Sequence, residues 1–153
     1  MSPAPQTDPL PPAGLVRRLM AMLYDTLLVA ALLMIVALAT VLAMSVLPGA
    51  EPEDLYPPPV WYRLLLFASW FGFFGWFWTR GGATLGMQAW HIVLQREDGG
   101  AIGWRLAARR FAAAALSLAA LGLGFFWMLL DPQRRTWHDR LTGTRMVVMR
   151  DPG

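Results

Sequence analysis

The sequence predicts an all-α membrane protein: two transmembrane helices, a third apolar segment that either spans or re-enters, and a small cytoplasmic β-hairpin. Three observations carry that expectation. The 153 residues are 56% hydrophobic and 15% charged, against about 25% charged in an ordinary soluble domain. The apolar residues are gathered into three long runs. All 13 basic residues are arginines, and they flank those runs as membrane topology signals do.

Residues 1–14 hold five prolines and little that could pack, which predicts a disordered tail. Residues 15–148 form the expected transmembrane domain, and 149–153 a short C-terminal tail. After Arg17 and Arg18, an apolar run extends from Leu19 to Leu47. A bilayer core of about 30 Å takes roughly 20 helical residues, so this run spans with tilt or a projecting end. Pro48-Gly49 stops it. The loop to Pro59 is acidic, with Glu51, Glu53 and Asp54. Val60 to Trp78 is the second run, with Trp61 and Tyr62 at one end and Trp76 and Trp78 at the other, the places for interfacial aromatic anchors.

Arg80 to Arg110 is the longest polar stretch. Met87 to Gln95 has strand-like character, and Glu97-Asp98-Gly99-Gly100 is a turn signal. A helix is expected to start near Ile102 and lead into the third run, Phe111 to Leu130, which Gly122 and Gly124 interrupt. A second strand-like run, Thr144 to Met149, lies in the tail.

Charge placement puts the N-terminus and the Arg80–Arg110 stretch in the cytoplasm and the acidic loop outside. The tail complicates this. Arg134, Arg135, Arg140, Arg145 and Arg150 follow the third run, and three full crossings would place all five outside. Either the last loop breaks the positive-inside pattern, or the third run folds into a re-entrant hairpin near Gly122 and Gly124. The second arrangement lets the two strand-like runs pair on one side. Arg17-Arg18 before an apolar stretch also resembles a signal peptide, with Ala43-Met44-Ser45 as a cleavage-like site. The length of the run and Asp25 near its start argue for a retained helix.

Asp25 is the first candidate functional residue. A carboxylate well inside a bilayer costs about 2.5–3.5 kcal/mol on insertion scales, so it normally has a partner, faces water, or both. Arg18 lies seven residues earlier on the same helical face, but helical side chains lean toward the N-terminus, so its head points away. Arg109, Arg110 and Arg145 are the candidate partners. Solvation by headgroups, a structural ion pair and a transport role all remain open for Asp25. His138 beside Asp139 invites an acid–base reading, but neither a nucleophile-elbow serine nor a metal set accompanies them. Two histidines, His91 and His138, and no cysteine are thin for zinc. Gly81 to Met87 lacks the Lys-Ser/Thr ending of a phosphate loop and is expected to be a tight turn. No enzyme, cofactor, metal or nucleic-acid partner is expected. Arg105, Arg109, Arg110, Arg134 and Arg135 form an expected basic surface that attracts anionic lipid headgroups.

Four stretches resemble the RDD family. They are Arg17-Arg18-Leu19-Met20-Ala21 leading to Tyr24-Asp25, Gly82-Ala83-Thr84-Leu85-Gly86, Trp127-Met128-Leu129-Leu130-Asp131-Pro132, and Trp137-His138-Asp139-Arg140-Leu141-Thr142-Gly143-Thr144. The resemblance runs from about Leu15 to Val148. It implies a charge set of one arginine, Arg18, and two aspartates, Asp25 and Asp139, with Asp131 competing for the second. Met87 departs from the pattern, standing where family members often carry lysine. The resemblance also implies a multi-pass protein of the cell membrane and brings a transport role into view, some members being associated with cation/proton antiport. Two functions follow as expectations. One is a small transport-related subunit for an ion or solute. The alternative is a non-catalytic assembly or partner-binding module, working as a homo-oligomer or with another membrane protein.

Overall fold

The computed structural model describes residues 10–49, 52–56 and 58–149. It is mostly helical, with one two-stranded sheet. Helix α1 spans Leu15–Val46, 32 residues, and begins four residues before the apolar run so that it includes Arg17 and Arg18. At about 1.5 Å per residue it is roughly 48 Å long, longer than a bilayer core. Of the described helices it alone is both long and apolar enough to cross a membrane outright. Its buried positions are Arg18, Ala21, Asp25 and Val29, a stripe at helical spacing confined to the first half. The second half presents Met34, Ile35, Leu38, Leu42 and Val46 outward, as lipid contact requires.

A 3-10 turn, Pro52–Leu55, follows, then helix α2, Val60–Arg80. This helix has the length to span, while Arg63, Tyr62 and its tryptophans dilute its hydropathy. Thr84 then caps a short helix α3, Leu85–Ala89, its hydroxyl accepting from the Met87 backbone N–H. Strand β1 is Ile92–Arg96. The expected strand from Met87 therefore loses its first residues to helix, because the Thr84 cap starts a helical turn there. The Gly81–Met87 stretch is likewise part turn and part helix.

Helix α4 runs Trp104–Ala119. The chain then reverses through Leu121 (φ 56°) and Gly122 (φ 76°) into helix α5, Leu123–Phe126, and a 3-10 turn, Trp127–Leu129. The bend between the two arms is 106°. The third apolar run is thus broken beside Gly122, and the 16-residue α4 reaches only about 24 Å. Gly124 sits against the Ser117 side chain with no room for a Cβ, so the returning arm packs on the outgoing one. Helix α6, Trp137–Thr142, and strand β2, Thr144–Val148, complete the fold.

Strands β1 and β2 pair antiparallel, from Ile92↔Val148 to Arg96↔Thr144. Glu97 N–H donates to the Gly143 carbonyl at 3.0 Å. The 47-residue excursion between them therefore leaves and returns at one place. The expected pairing of the two strand-like runs is realised over these five residues in each strand.

One expectation is corrected at the N-terminus. Residues 1–9 lie outside the described residues, but Pro11 to Ala13 run along β2 as a hydrogen-bonded edge, with Pro11 and Pro12 exposed and Ala13 buried. The Val148 N–H donates to Pro11 O and Ala13 N–H to Met146 O, both at 2.9 Å, and Pro12 bridges Val147. Proline is tolerated there because this is the sheet edge, where its missing N–H faces away from the ladder. Ala13 is fully buried and joins a core of Ala21, Trp78, Ala83, Met87, Ile92, Leu94, Ile102 and Ala107. This core ties α3, the sheet and the start of α4 into a polar-surfaced cap around the first turns of α1.

Two close approaches fix the helices on this cap. A Cβ on Gly75 would collide with the Trp104 ring, so α2 and α4 meet there, and Phe67, Trp70, Phe71 and Phe74 of α2 surround Phe111 of α4 edge-on or tilted. A Cβ on Gly86 would strike the Ala21 carbonyl oxygen and the Asp25 carboxylate. Gly86→Ala is therefore expected to lower stability by about 1–3 kcal/mol through overpacking. Gly72→Ala in α2, where a Cβ meets open space, should change it by less than about 0.5 kcal/mol. Thermal unfolding of both variants in detergent distinguishes them, and equal midpoints would contradict the α1–α3 contact.

Candidate functional site

Helix α1 carries two charged residues on its buried stripe, and each meets a different part of the cap. Arg18 is 3% exposed and Asp139 wholly buried. Arg18 Nη1 donates to Asp139 Oδ2 at 2.6 Å. Its Nε donates to Ala13 O at 3.1 Å and its Nη2 to Arg134 O at 3.0 Å. A planar guanidinium with five donors suits such a task, because one side chain ties α1 to the N-terminal edge, the turn before α6 and α6 itself.

Asp139 has a second cation. Arg110 of α4, 1% exposed, places Nη2 2.7 Å from Asp139 Oδ1, an ion pair whose angle falls outside hydrogen-bonding geometry. Arg110 Nη1 also donates to the Thr144 hydroxyl, and its guanidinium lies 5.5 Å from the Trp78 ring centre. Asp139 further closes a capping box. Its Oδ2 accepts from Thr136 N–H at 3.1 Å, while its own N–H donates to Thr136 Oγ1 at 3.2 Å. Gly143, at φ 59°, then turns α6 into β2 and delivers Thr144 to Arg110. The Thr142-Gly143-Thr144 run after Asp139 in the sequence is thus the turn that closes this cluster.

Burial works to raise the Asp139 carboxyl, but Arg110 and Arg18 outweigh it and hold the group well below the usual carboxylate range. His138 shows the opposite imbalance. Burial first, and Arg110 second, lower its imidazole from 6.5 to about 3. It is neutral, packed 4.8 Å from the Phe125 ring, with no partner for Nδ1 among the described residues. An imidazole so placed does not exchange protons near neutral pH.

Asp25 is 5% exposed and pairs with no arginine among the described residues. Its Oδ2 accepts from the Thr84 hydroxyl at 2.5 Å and its Oδ1 from the Gly86 backbone N–H at 2.9 Å. The expectation that Arg109, Arg110 or Arg145 pairs with Asp25 is therefore corrected. Arg110 is committed to Asp139, and Arg109 is exposed on α4. The Gly86 contact explains the partner choice. With no Cβ at Gly86, α3 approaches α1 closely enough for its first-turn N–H to reach the carboxylate. Arg110 also leaves the expected basic surface, since it is a core residue.

Asp131, the competing second aspartate, serves its own turn. Its Oδ2 accepts from Gln133 N–H at 3.2 Å and from Arg135 N–H and Nε at 2.9 and 3.2 Å, and the Arg135 contact leads in holding it below the usual range. Arg135 reaches on to Glu97 at 3.1 Å. Thr84, Thr136 and Thr144, each 0% exposed, were not singled out by sequence reasoning. A signal existed: Thr84 and Thr136 stand immediately before short helices, and Thr144 opens β2 directly after Gly143.

The RDD family matches residues 12–143. This chain belongs to the RDD family. No curated protein and no solved structure matches it. The family match covers most of the chain and, with the apolar helix α1, makes it a membrane protein. Arg18 and Asp139, two of the residues implied by the resemblance, are in direct contact in this RDD protein, while Asp25 forms a separate clamp 59 residues upstream of its hydroxyl donor.

Asp139→Asn leaves Arg18 and Arg110 buried without a full counter-charge. It is expected to cost about 3–5 kcal/mol, read as loss of folded protein in detergent, whereas Asp131→Asn should cost far less. The pH response follows from His138. It is neutral in the fold, so the unfolded chain gains a proton first as pH falls from 6.5 toward 3, and stability drops over that window. The Asp139 contribution is full above the unfolded carboxylate value near 3.9 and is lost only below it. The unfolding midpoint should therefore fall between pH 7 and 4.5, and His138→Gln should flatten that slope. An unchanged slope would assign the effect to another group.

Proposed function

We propose that this RDD protein is a non-catalytic membrane module in which Arg18, Asp25 and Asp139 lock an arginine-rich cap onto the ends of two transmembrane helices, for assembly with a partner membrane protein or a second copy. The observation that carries this reading is that all three residues are at most 5% exposed and engaged internally. None of them lines the open cavity beside β1 or the apolar groove between α1 and α2.

The same reading gives a topology. Helices α1 and α2 cross the cell membrane, and the α4–α5 hairpin re-enters from the cap side. The N-terminus, cap and C-terminus are cytoplasmic. The returning strand supports this, because Thr144 must lie beside Arg96 on whichever side Arg96 occupies. The hairpin tip is apolar, with Leu121 89% exposed, as a segment seated in lipid would be. All five arginines after the third run then fall on the cytoplasmic side, as positive-inside placement asks.

One observation favours transport as a second reading. Among the described residues Asp25 is held by neutral donors alone, with no cation paired to it. A carboxylate of that kind on a membrane helix is the usual form of an ion or proton site.

Asp25→Asn separates the two. The module reading expects protein level and detergent-stable assembly to fall several-fold. Normal assembly with loss of cation-driven proton movement in reconstituted vesicles would replace it with transport. A C-terminal tag should be protected in intact cells, and a tag labelled from outside would exclude the re-entrant hairpin.

A further inference from the structure

The third apolar run carries no charged residue from Phe111 to Leu130 and is bounded by Arg109 and Arg110 on one side and Asp131 on the other. Around the hairpin tip its side chains point outward. Leu116, Leu118, Leu123, Phe126 and Leu129 are each more than half exposed, and Leu121 is 89% exposed. The one hydroxyl in the run, Ser117, is buried and donates to Ala113 O at 3.0 Å. The exposed face of α4 also changes along its length. Trp104, Arg105 and Arg109 occupy it near the start, and Ala112, Leu116 and Ala119 toward the end. A helix lying flat on a membrane segregates polar and apolar residues side by side. This one segregates them end to end, as a helix entering lipid tip first does.

A second observation lies in the turn itself. Leu121 adopts φ 56°, a left-handed conformation that helix ends normally give to glycine or asparagine. Leucine is strained there in any solvent, and its exposed side chain gains only in apolar surroundings. The turn also meets the demand of hydrocarbon that backbone polar groups be satisfied internally. Ala120 N–H donates to Leu116 O and Gly122 N–H to Ser117 O, both at 3.0 Å. Leu123 N–H reaches Ala120 O at 3.1 Å and Phe125 N–H reaches Gly122 O at 2.8 Å. Depth follows from length. Leu121 stands twelve residues past Arg109, about 18 Å along a helix at 1.5 Å per residue. With a 106° bend between the arms, the two cannot both run along the membrane normal, which shortens that reach. Half of a hydrocarbon core is about 15 Å, so the tip stops near the midplane.

We propose that the α4–α5 hairpin is a lipid-binding wedge confined to the cytoplasmic leaflet, with its tip from Leu118 to Leu123 against acyl chains and its two bases at the headgroups. This rests on the topology proposed above, in which the hairpin re-enters from the cap side, and adds what covers the hairpin and how deep it goes. Lipid fits better than a partner protein because the exposure is not confined to one face. Leu116 and Leu118 are two residues apart and so about 200° apart around α4, yet they are 63% and 62% exposed. Exposed leucines continue on the returning arm. Trp104 at one base and Trp127 near the other are both solvent-accessible and stand where interfacial aromatics sit. Arg105, Arg109 and Arg134, all exposed, then fall at the level of the headgroups.

The chain has no cysteine, so single-cysteine variants of the full protein each carry one fluorescent label. Leu121→Cys places it at the tip, and Arg109→Cys and Gln133→Cys, both at exposed positions, place it at the two bases. Each labelled variant is reconstituted in phosphatidylcholine vesicles carrying a nitroxide either on the headgroup or near the acyl-chain end. The two quenchers lie about 15 Å apart in depth, so the chain-end lipid should quench the tip label about twofold more than the headgroup lipid does. The order should reverse at both bases. Leu123→Cys serves as the tip variant if Leu121→Cys fails to fold. In cells, a membrane-impermeant thiol reagent should reach the Gln133→Cys thiol only after the cytoplasmic side is opened. Labelling of that thiol from outside would mean a full crossing and would overturn both the wedge and the topology. With the C-terminal tag protected, a tip label quenched by neither lipid would mean a covering protein or water. A tip label quenched chiefly at the headgroups would mean a hairpin lying flat. Either result would overturn the wedge alone and leave the lock of Arg18, Asp25 and Asp139 standing.

Discussion

Asp139 is the point on which three helices of the chain converge. It holds two guanidinium groups, Arg18 from the first helix and Arg110 from the fourth, and it closes the cap of its own helix. All three charges are almost wholly removed from solvent. Such a cluster is expensive to bury, and replacing a buried ion pair with apolar residues is often neutral or stabilising. Its value here is therefore positional. A hydrophobic contact would tolerate a shift of one turn along α1, whereas Arg18 must meet Ala13 O, Asp139 and Arg134 O together. That set of acceptors exists at one register.

The second clamp acts in the same direction. Asp25 lies seven residues beyond Arg18, about 10 Å further along the helix. Its acceptors are filled by Thr84 and Gly86, which belong to the entry of α3. Arg18 therefore ties α1 to the C-terminal half of the cap, and Asp25 ties it to the segment leaving α2. With two anchor points on one face, α1 can neither rotate nor slide without breaking both. Gly86 is the steric condition for the second clamp, and Gly75 plays the same role where α2 meets Trp104.

Much of this was legible in the residues, and the part that was not has a physical cause. The apolar runs and their breaks gave membrane residence and the interruption at Gly122, because both depend on local composition. The strand-like runs were visible for the same reason, although Thr84 capping converted the start of the first into helix. The partners of Asp25 were not legible. Counting charges directs attention to arginines, but a carboxylate can be satisfied by a hydroxyl and a backbone N–H, which leave no charge signature. The order along Pro11 to Ala13 was also hidden. Five prolines read as disorder, yet a proline on a sheet edge needs no donor, and the carbonyl of Pro11 and the N–H of Ala13 supply the ladder bonds instead.

The arginines, which look uniform in the sequence, divide into classes once the fold is known. Arg18 and Arg110 are core residues that fix register. Arg96 and Arg135 shape turns against Asp98, Asp131 and Glu97. Arg105, Arg109 and Arg140 remain exposed, where they suit a headgroup surface. The buried arginines Arg18 and Arg110 are matched in number by the buried Asp25 and Asp139, so burying them leaves the net positive count of the remaining charges unchanged. The same division explains why a chain with so few acidic residues still buries one beside two arginines. An aspartate placed on the surface would weaken attraction to an anionic leaflet, whereas one held in the core joins elements that apolar packing leaves free to slide.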